Sequence, residues 1–361
     1  MGKTLKYGII GCGGIAEGKH MPAIQNLKDV EMVGFCDIIK EKAEKANKTF
    51  AAGKGKVYTD YRELLKEDLD AVCVLTPNSS HSEISVAALE ADKHVMCEKP
   101  MAKNYKEALA MIAARDKSGK LLTIGYQNRY RPDSLFLKAE CDKGTLGEIY
   151  FAKATAIRRR AVPTWGVFLD EEKQGGGPLI DIGTHALDLT LFMMDNYTPD
   201  YAVGTVYHKL NNDKDTGNAW GDWDPAKFTV EDSAFGFIVM KNKATIILQS
   251  SWALNTTAVR EAVTTLCGTK AGADMVHGEL TINGVQNGRQ YVLKPDLNAG
   301  GVAFYGAAVQ KDIDIEARTF AQAIRGQGKL YVLPEQAAAV TKILEGIYIS
   351  AKTGQPYYFK D

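Results

Sequence analysis

Two short stretches hold ionisable side chains where an ordinary buried element would not. LIDIGTHALDL (residues 179–189) reads as a mostly apolar helix that nevertheless carries Asp181, His185 and Asp188. Residues three, four or seven apart share a helix face, so Asp181, Thr184, His185 and Asp188 fall on one polar stripe. A helix apolar around the rest of its circumference is buried, and buried ionisable groups are costly unless paired or used. Imidazole, with an ordinary pKa of about 6.5, suits proton transfer near neutral pH. The spacing alone equally allows a structural Asp–His pair, and Asp188 is read as structural. The second stretch is MCEKPMA (residues 96–102), where Glu98, Lys99 and Pro100 end a strand-like run.

YGIIGCGGIA (residues 7–16) places Gly11, Gly13 and Ala16 in a G-x-G-x-x-A pattern directly after an apolar strand. Gly11 permits the tight turn, Gly13 lets the backbone approach a pyrophosphate, and Ala16 lets helix pack on strand. The following helix start offers free N–H groups to phosphate. Asp37 stands at the end of the second strand, where a carboxylate accepts from a ribose 2′-hydroxyl and repels a 2′-phosphate. Ile38 and Ile39 follow it, with no arginine to bind that phosphate. NAD is the expected cofactor, in preference to NADP.

Positioning these groups requires elements at particular places. Apolar runs at 7–10, 30–36, 71–75, 94–97 and 121–126 alternate with helical patterns at 39–52, 80–91 and 104–118. That alternation predicts an α/β domain with a doubly wound parallel sheet over residues 1–126. Pro22 should leave the first helix short or kinked. Ligands of such sheets bind beyond the carboxyl ends of the strands, so Lys99 should face the cofactor. From 127 to 361 successive strand patterns (147–160, 201–208, 233–240, 244–252, 261–267) predict an α+β domain with a large, mostly antiparallel open sheet, closed by a helix over 334–353. IRRRAVPTW (residues 157–165) is either charge on an exposed edge strand or a polar wall for a ligand. The polar stretch 211–227, with Trp220 and Trp223, is a surface loop or a lid.

In composition, 45 % of the 361 residues are apolar, and 44 basic residues balance 44 acidic ones. The chain can fill a sizeable core and has no global field for nucleic acid or an anionic membrane. Six scattered cysteines without C-x-x-C spacing read as small hydrophobes in a reducing compartment. No apolar run reaches the roughly 18 residues of a membrane span, no signal-peptide core is visible, and no compact histidine spacing suggests a metal. The expectation is a soluble, cytoplasmic chain. SAFGFIVM and ATIILQSSWAL are apolar at odd and even positions. Because side chains alternate between faces, both faces of that sheet should be covered, which predicts a homo-oligomer through the C-terminal sheet.

Taken together, GCGGIA, LTPNSSH, MCEKPMA, GYQNRY and GGGPLIDIGTHALDL resemble the glucose-fructose oxidoreductase, inositol dehydrogenase and MocA family, in order and over nearly the whole chain. The resemblance implies a Rossmann first domain and NAD. It implies a catalytic group of Lys99, which contacts the substrate hydroxyl, with Asp181 and His185, the latter as base. It also implies a cis Lys99–Pro100 bond. Gly11, Gly13, Ile15, Asp37, Thr76, Asn78, His81, Glu98 and Gln127 match positions that line the dinucleotide site, and Arg158 and Trp165 lie in a variable segment that approaches the nicotinamide or the substrate. The implied activity is oxidation of a secondary hydroxyl of a sugar, glycoside or cyclic polyol. Glycoside 3-oxidation to a 3-keto sugar is favoured, with a separate downstream lyase as its partner. Inositol 2-dehydrogenation, redox-assisted glycoside hydrolysis with retained NAD, and a non-catalytic NAD sensor remain open.

Overall fold

In the computed structural model, which describes residues 3–213, 216–276, 279–297 and 311–360, six strands form one parallel sheet. They are β1 (Leu5–Ile10), β2 (Val30–Cys36), β3 (Lys56–Tyr58), β4 (Ala71–Val74), β5 (His94–Glu98) and β6 (Leu122–Gly125). Their order, β3-β2-β1-β4-β5-β6, is that of a Rossmann fold, as expected. The order reverses between β1 and β4, which places the loops after β1, β4 and β5 at the switch point. Helices cross over where the pattern put them. The helix Tyr105–Ser118 shows why: Asn104 caps it by accepting from the Glu107 amide at 2.9 Å and donating to the Glu107 carboxylate at 2.9 Å. Pro22 acts as anticipated, since the first crossover is a π-helical turn, Ala16–His20, followed by the short helix Met21–Gln25.

The chain divides into two compact units, the first running to Gln127 and regaining a segment that ends at Ala338, the second containing Asn128 onward and Ala339 onward. The return of a late segment differs from a simple division after residue 126. The helix Asp312–Ile324 buries Ile313, Ala317, Phe320 and Ala321 on one face. That face packs with the first unit, Phe320 meeting Tyr7 edge to face at 6.1 Å.

In the second unit β7 (Ile149–Ile157), β8 (Pro199–Tyr207), β9 (Ser233–Met240), β10 (Thr245–Ser251), β11 (Arg260–Gly268), β12 (Ala271–Val276), β13 (Glu279–Gln286), β14 (Arg289–Leu293) and β15 (Tyr357–Tyr358) make a nine-stranded sheet. Its order is β14-β13-β12-β11-β7-β10-β9-β8-β15, antiparallel except for β7 with β10. β7 is central, so the arginines just beyond it do not lie on an edge strand. One face is buried through Ala234, Ile238, Ile246 and Leu248, with Ile347 of the closing helix Pro334–Thr353 set against Gly204 and Gly236. On the opposite face Val203, Tyr207 and Phe237 remain exposed. No helix among the described residues is long and apolar enough to cross a membrane. Burial pushes the Cys73 thiol up to about 12, as suits a small hydrophobe.

The first core holds one unexpected group. Glu316 sits among the buried residues of its helix, and neither carboxyl oxygen has a hydrogen-bond partner among the described residues. Burial, then the negative charges of Glu98 and Asp312, hold its pKa well above the usual carboxylate range, opposed by Lys19. Such a group stays protonated in the native state while the unfolded chain ionises, so its contribution to stability is lost as pH rises above about 4.3. Glu316→Gln should therefore raise the melting temperature, and by more at pH 8 than at pH 5. Equal shifts at the two pH values would contradict this account.

Candidate active site

In the first unit the cofactor candidates collect at the carboxyl ends of the strands. Gly11 has φ +92°, and a Cβ there would stand 2.5 Å from the Leu75 carbonyl oxygen, so the turn after β1 admits only glycine. A Cβ on Gly13 would meet nothing within 4 Å. The missing side chain therefore keeps open space rather than making room for another part of the chain, as a phosphate cradle requires. Ile15 follows half-exposed, and Ala16 is buried where the helical turns meet the sheet. Asp37 accepts from the Cys12 amide and the Ile39 amide, both at 2.9 Å. It ties the glycine loop to the end of β2 and keeps further lone pairs for a ribose hydroxyl.

The loop after β4 supplies Thr76, whose hydroxyl accepts from Ser80 at 2.8 Å, and Asn78, which opens a 3₁₀ turn. Glu98 ends β5 with one oxygen 2.7 Å from His20 Nε2 and the other accepting from the Lys99 amide at 2.9 Å. Lys99 is thus held through its own backbone, and the Lys99–Pro100 bond is cis. Gln127 opens the 3₁₀ turn after β6. His81 is fully buried, with Nδ1 2.8 Å from the Pro100 carbonyl and Nε2 2.8 Å from the Thr76 carbonyl. Each nitrogen faces a backbone carbonyl, so His81 braces the E-K-P turn against the β4 loop. Burial lowers its pKa against the pull of the two carbonyls.

In the second unit Asp181 and His185 are both buried. They do not lie on one straight α-helix: Leu179–Gly183 is a π-helical turn and the α-helix begins at Thr184. Such turns recur at functional sites because they re-aim side chains. Asp181 accepts from the indole N–H of buried Trp252 at 3.0 Å. Asp188 pairs with Arg129, which donates from Nε at 2.9 Å and Nη2 at 2.6 Å, in keeping with its structural reading. The glycines ahead of the turn have a partner that spacing did not reveal. Buried Glu231 accepts from the Gly177 amide at 2.8 Å, the Leu179 amide at 3.1 Å and the Tyr348 hydroxyl at 2.8 Å. A Cβ on Gly177 would stand 2.1 Å from the Glu231 carbonyl oxygen. Burial raises the Glu231 pKa, and its three donors oppose that. The Gly175–Gly177 run was the visible signal of a close approach; Glu231, Tyr348 and Trp252 were not otherwise marked.

Arg158 donates to Glu261 through Nε at 2.8 Å and through Nη2, and to the Ala161 carbonyl at 3.3 Å. Three of its five N–H donors are thereby spent within the chain. Trp165 is half exposed.

Comparison with known proteins places this arrangement. Residues 5–126 match the oxidoreductase family with an NAD-binding Rossmann fold, and residues 135–274 match the GFO/IDH/MocA C-terminal domain. The chain belongs to the GFO/IDH/MocA oxidoreductase family. Among its relatives, D-glucoside 3-dehydrogenase of Escherichia coli is 33 % identical over 359 residues, 97 % of this chain and 96 % of that one. Inositol 2-dehydrogenase of Salmonella typhimurium is 33 % identical over 164 residues, 45 % of this chain and 48 % of that one. The structure of a levoglucosan dehydrogenase complexed with NADH and levoglucosan superposes with a TM-score of 0.85 over 99 % of this chain and 100 % of that one. At 20 % identity that likeness shows the fold.

As an NAD-binding member of the GFO/IDH/MocA family, the chain should choose its dinucleotide through Asp37. Wild-type protein is expected to show a higher kcat/KM with NAD than with NADP, and Asp37→Ala to narrow the ratio by about tenfold or more, a carboxylate–hydroxyl bond contributing roughly 1.5–3 kcal/mol. A wild-type preference for NADP would refute the assignment.

Proposed function

We propose that this protein oxidises the 3-hydroxyl of a glycoside to a 3-keto sugar. The observation that carries the reading is the end-to-end match to a D-glucoside 3-dehydrogenase, against matches to inositol 2-dehydrogenases that span 45 % and 62 % of the chain. NAD, when bound, supplies the hydride acceptor. His185 takes the hydroxyl proton as general base, and Asp181, held by Trp252, biases its imidazole toward that task. The Lys99 ammonium stabilises the developing alkoxide. The 3-keto product has an acidic hydrogen at carbon 2, so a separate lyase can expel the aglycone by β-elimination.

The deciding experiment measures NADH production across inositols, free hexoses and glucosides, with the oxidised carbon identified by NMR. Oxidation of glucosides at carbon 3 supports the reading, and turnover of inositols alone refutes it. Within it, Lys99→Ala and His185→Ala should each lose about 10²- to 10⁴-fold in kcat. Both variants should keep NADH affinity, measured by fluorescence titration, because the phosphate loop lies at Gly11 to Ala16. Near-normal kcat in both would return Asp181 and His185 to a structural role.

A second proposal concerns assembly: two copies pair through the open face of the second sheet. Its support is that Val203 is 40 %, Phe237 43 % and Tyr207 38 % exposed. By register Val203 pairs with Phe237, so they share that face. Sedimentation equilibrium at micromolar concentration should give a dimer or larger, whereas a stable, active 39.4 kDa species would exclude it.

A further inference from the structure

Trp165 and Trp220 come from loops distant in sequence that the fold joins. The Asn218 side chain accepts from the Val162 amide at 2.8 Å and donates to the Val162 carbonyl at 3.0 Å and the Gly221 carbonyl at 2.7 Å. Thr164 donates to the Trp220 carbonyl at 2.7 Å, and the Ala219 amide to the Arg160 carbonyl at 3.0 Å. Held this way, the two indoles meet edge to face at 4.9 Å and 77°, with Phe168 packed on Trp165 at 5.8 Å. Yet Trp165 is 52 % and Trp220 43 % exposed. Two large rings kept in water on loops fixed by hydrogen bonds form a preorganised apolar corner.

The corner also has a location. The Arg158 guanidinium lies 5.3 Å from the Trp220 ring centroid, locked there by Glu261. The same segment also reaches the proposed catalytic carboxylate within the second unit: the Ala161 amide donates to the Trp252 carbonyl at 2.9 Å, and the Trp252 indole donates to Asp181 at 3.0 Å. A pyranose can lay its apolar C–H face on exposed indole surface but leaves its hydroxyls without partners there, whereas an aromatic group makes its whole contact on such surface. In a glycoside the anomeric substituent is that group, and it points away from the reacting 3-hydroxyl.

We propose that Trp165 and Trp220 form a subsite for the apolar, above all aromatic, aglycone of the glycoside whose sugar ring is oxidised at Asp181 and His185. The proposal rests on the 3-oxidation reading, and its test separates the two. NADH-loaded protein, which cannot oxidise an alcohol, is titrated calorimetrically with methyl and phenyl β-D-glucopyranoside. Wild type should bind the phenyl glucoside more tightly. Trp165→Ala and Trp220→Ala should each remove about 3- to 10-fold of that preference, as stacking contacts of this kind do. Affinity for the methyl glucoside should stay within about twofold, because a methyl group has no ring to stack on the indoles. Trp220→Leu, which keeps bulk without the aromatic face, should behave like the alanine variant. Equal wild-type affinity for the two glucosides, no detectable binding of either, or losses shared equally by both ligands in the variants would overturn the subsite. The same pair is then offered with NAD. A binding preference without NADH formation would refute 3-oxidation and leave the subsite standing, and turnover of both glucosides without the preference would do the reverse.

Discussion

A carboxylate removed from water must be met by donors, and in this protein the donors next to the chemistry are backbone amides. Asp37 holds the Cys12 amide in the glycine loop. Glu98 holds the amide of Lys99. Glu231 holds the amides of Gly177 and Leu179 at the start of the turn that carries Asp181. Each bond is charge-assisted and roughly twice as strong as a neutral one. Each also fixes main chain rather than side chain, so it sets where the neighbouring functional group starts from. At Gly177 the approach also demands glycine, because a Cβ there would stand 2.1 Å from the Glu231 carbonyl oxygen.

The same constraint sorts the ionisable groups by what they do. Asp188 is satisfied by Arg129 in a buried bidentate pair and is committed to holding helix against loop. Asp181 is met by the Trp252 indole, a neutral donor. Glu316 has no hydrogen-bond partner among the described residues, and burial holds its pKa well above the usual carboxylate range. Three carboxyl groups inside the protein thus meet three different surroundings. Arg158 follows the rule from the cationic side: paired with Glu261 and covered by Trp220, it shapes a wall instead of offering a free guanidinium.

Much of this was legible in the residues themselves. The G-x-G-x-x-A pattern, Asp37 at the end of β2 and the strand–helix alternation are local in sequence, and local geometry governs them: tight turns need glycine, crossovers need helices, and a ribose acid belongs at a strand end. The boundaries of β2 and β9 and of the closing helix Pro334–Thr353 fall where periodicity and proline put them. The less apolar strands β12, β13 and β14 escaped the pattern. Their alternation is broken by Gly272, Asp274, Asn283 and Gly284, and β14 is exposed along its length. Their strand character comes from hydrogen bonding to a neighbour that already exists.

Tertiary structure alone decided the remainder, because it depends on contacts between residues far apart in the chain. Nothing near Glu231 in sequence announces that it will lie under Gly177, or that Tyr348 will share it. That His81 is a buried brace follows only from the approach of the Pro100 and Thr76 carbonyls. The helix Asp312–Ile324 belongs to the first core because Tyr7 and its neighbours complement its apolar face there. Residue type and spacing determined which groups could perform chemistry and which cofactor they suit. The packing of distant segments determined which of those groups were left available, since a side chain is free to act only when no buried neighbour claims its hydrogen bonds.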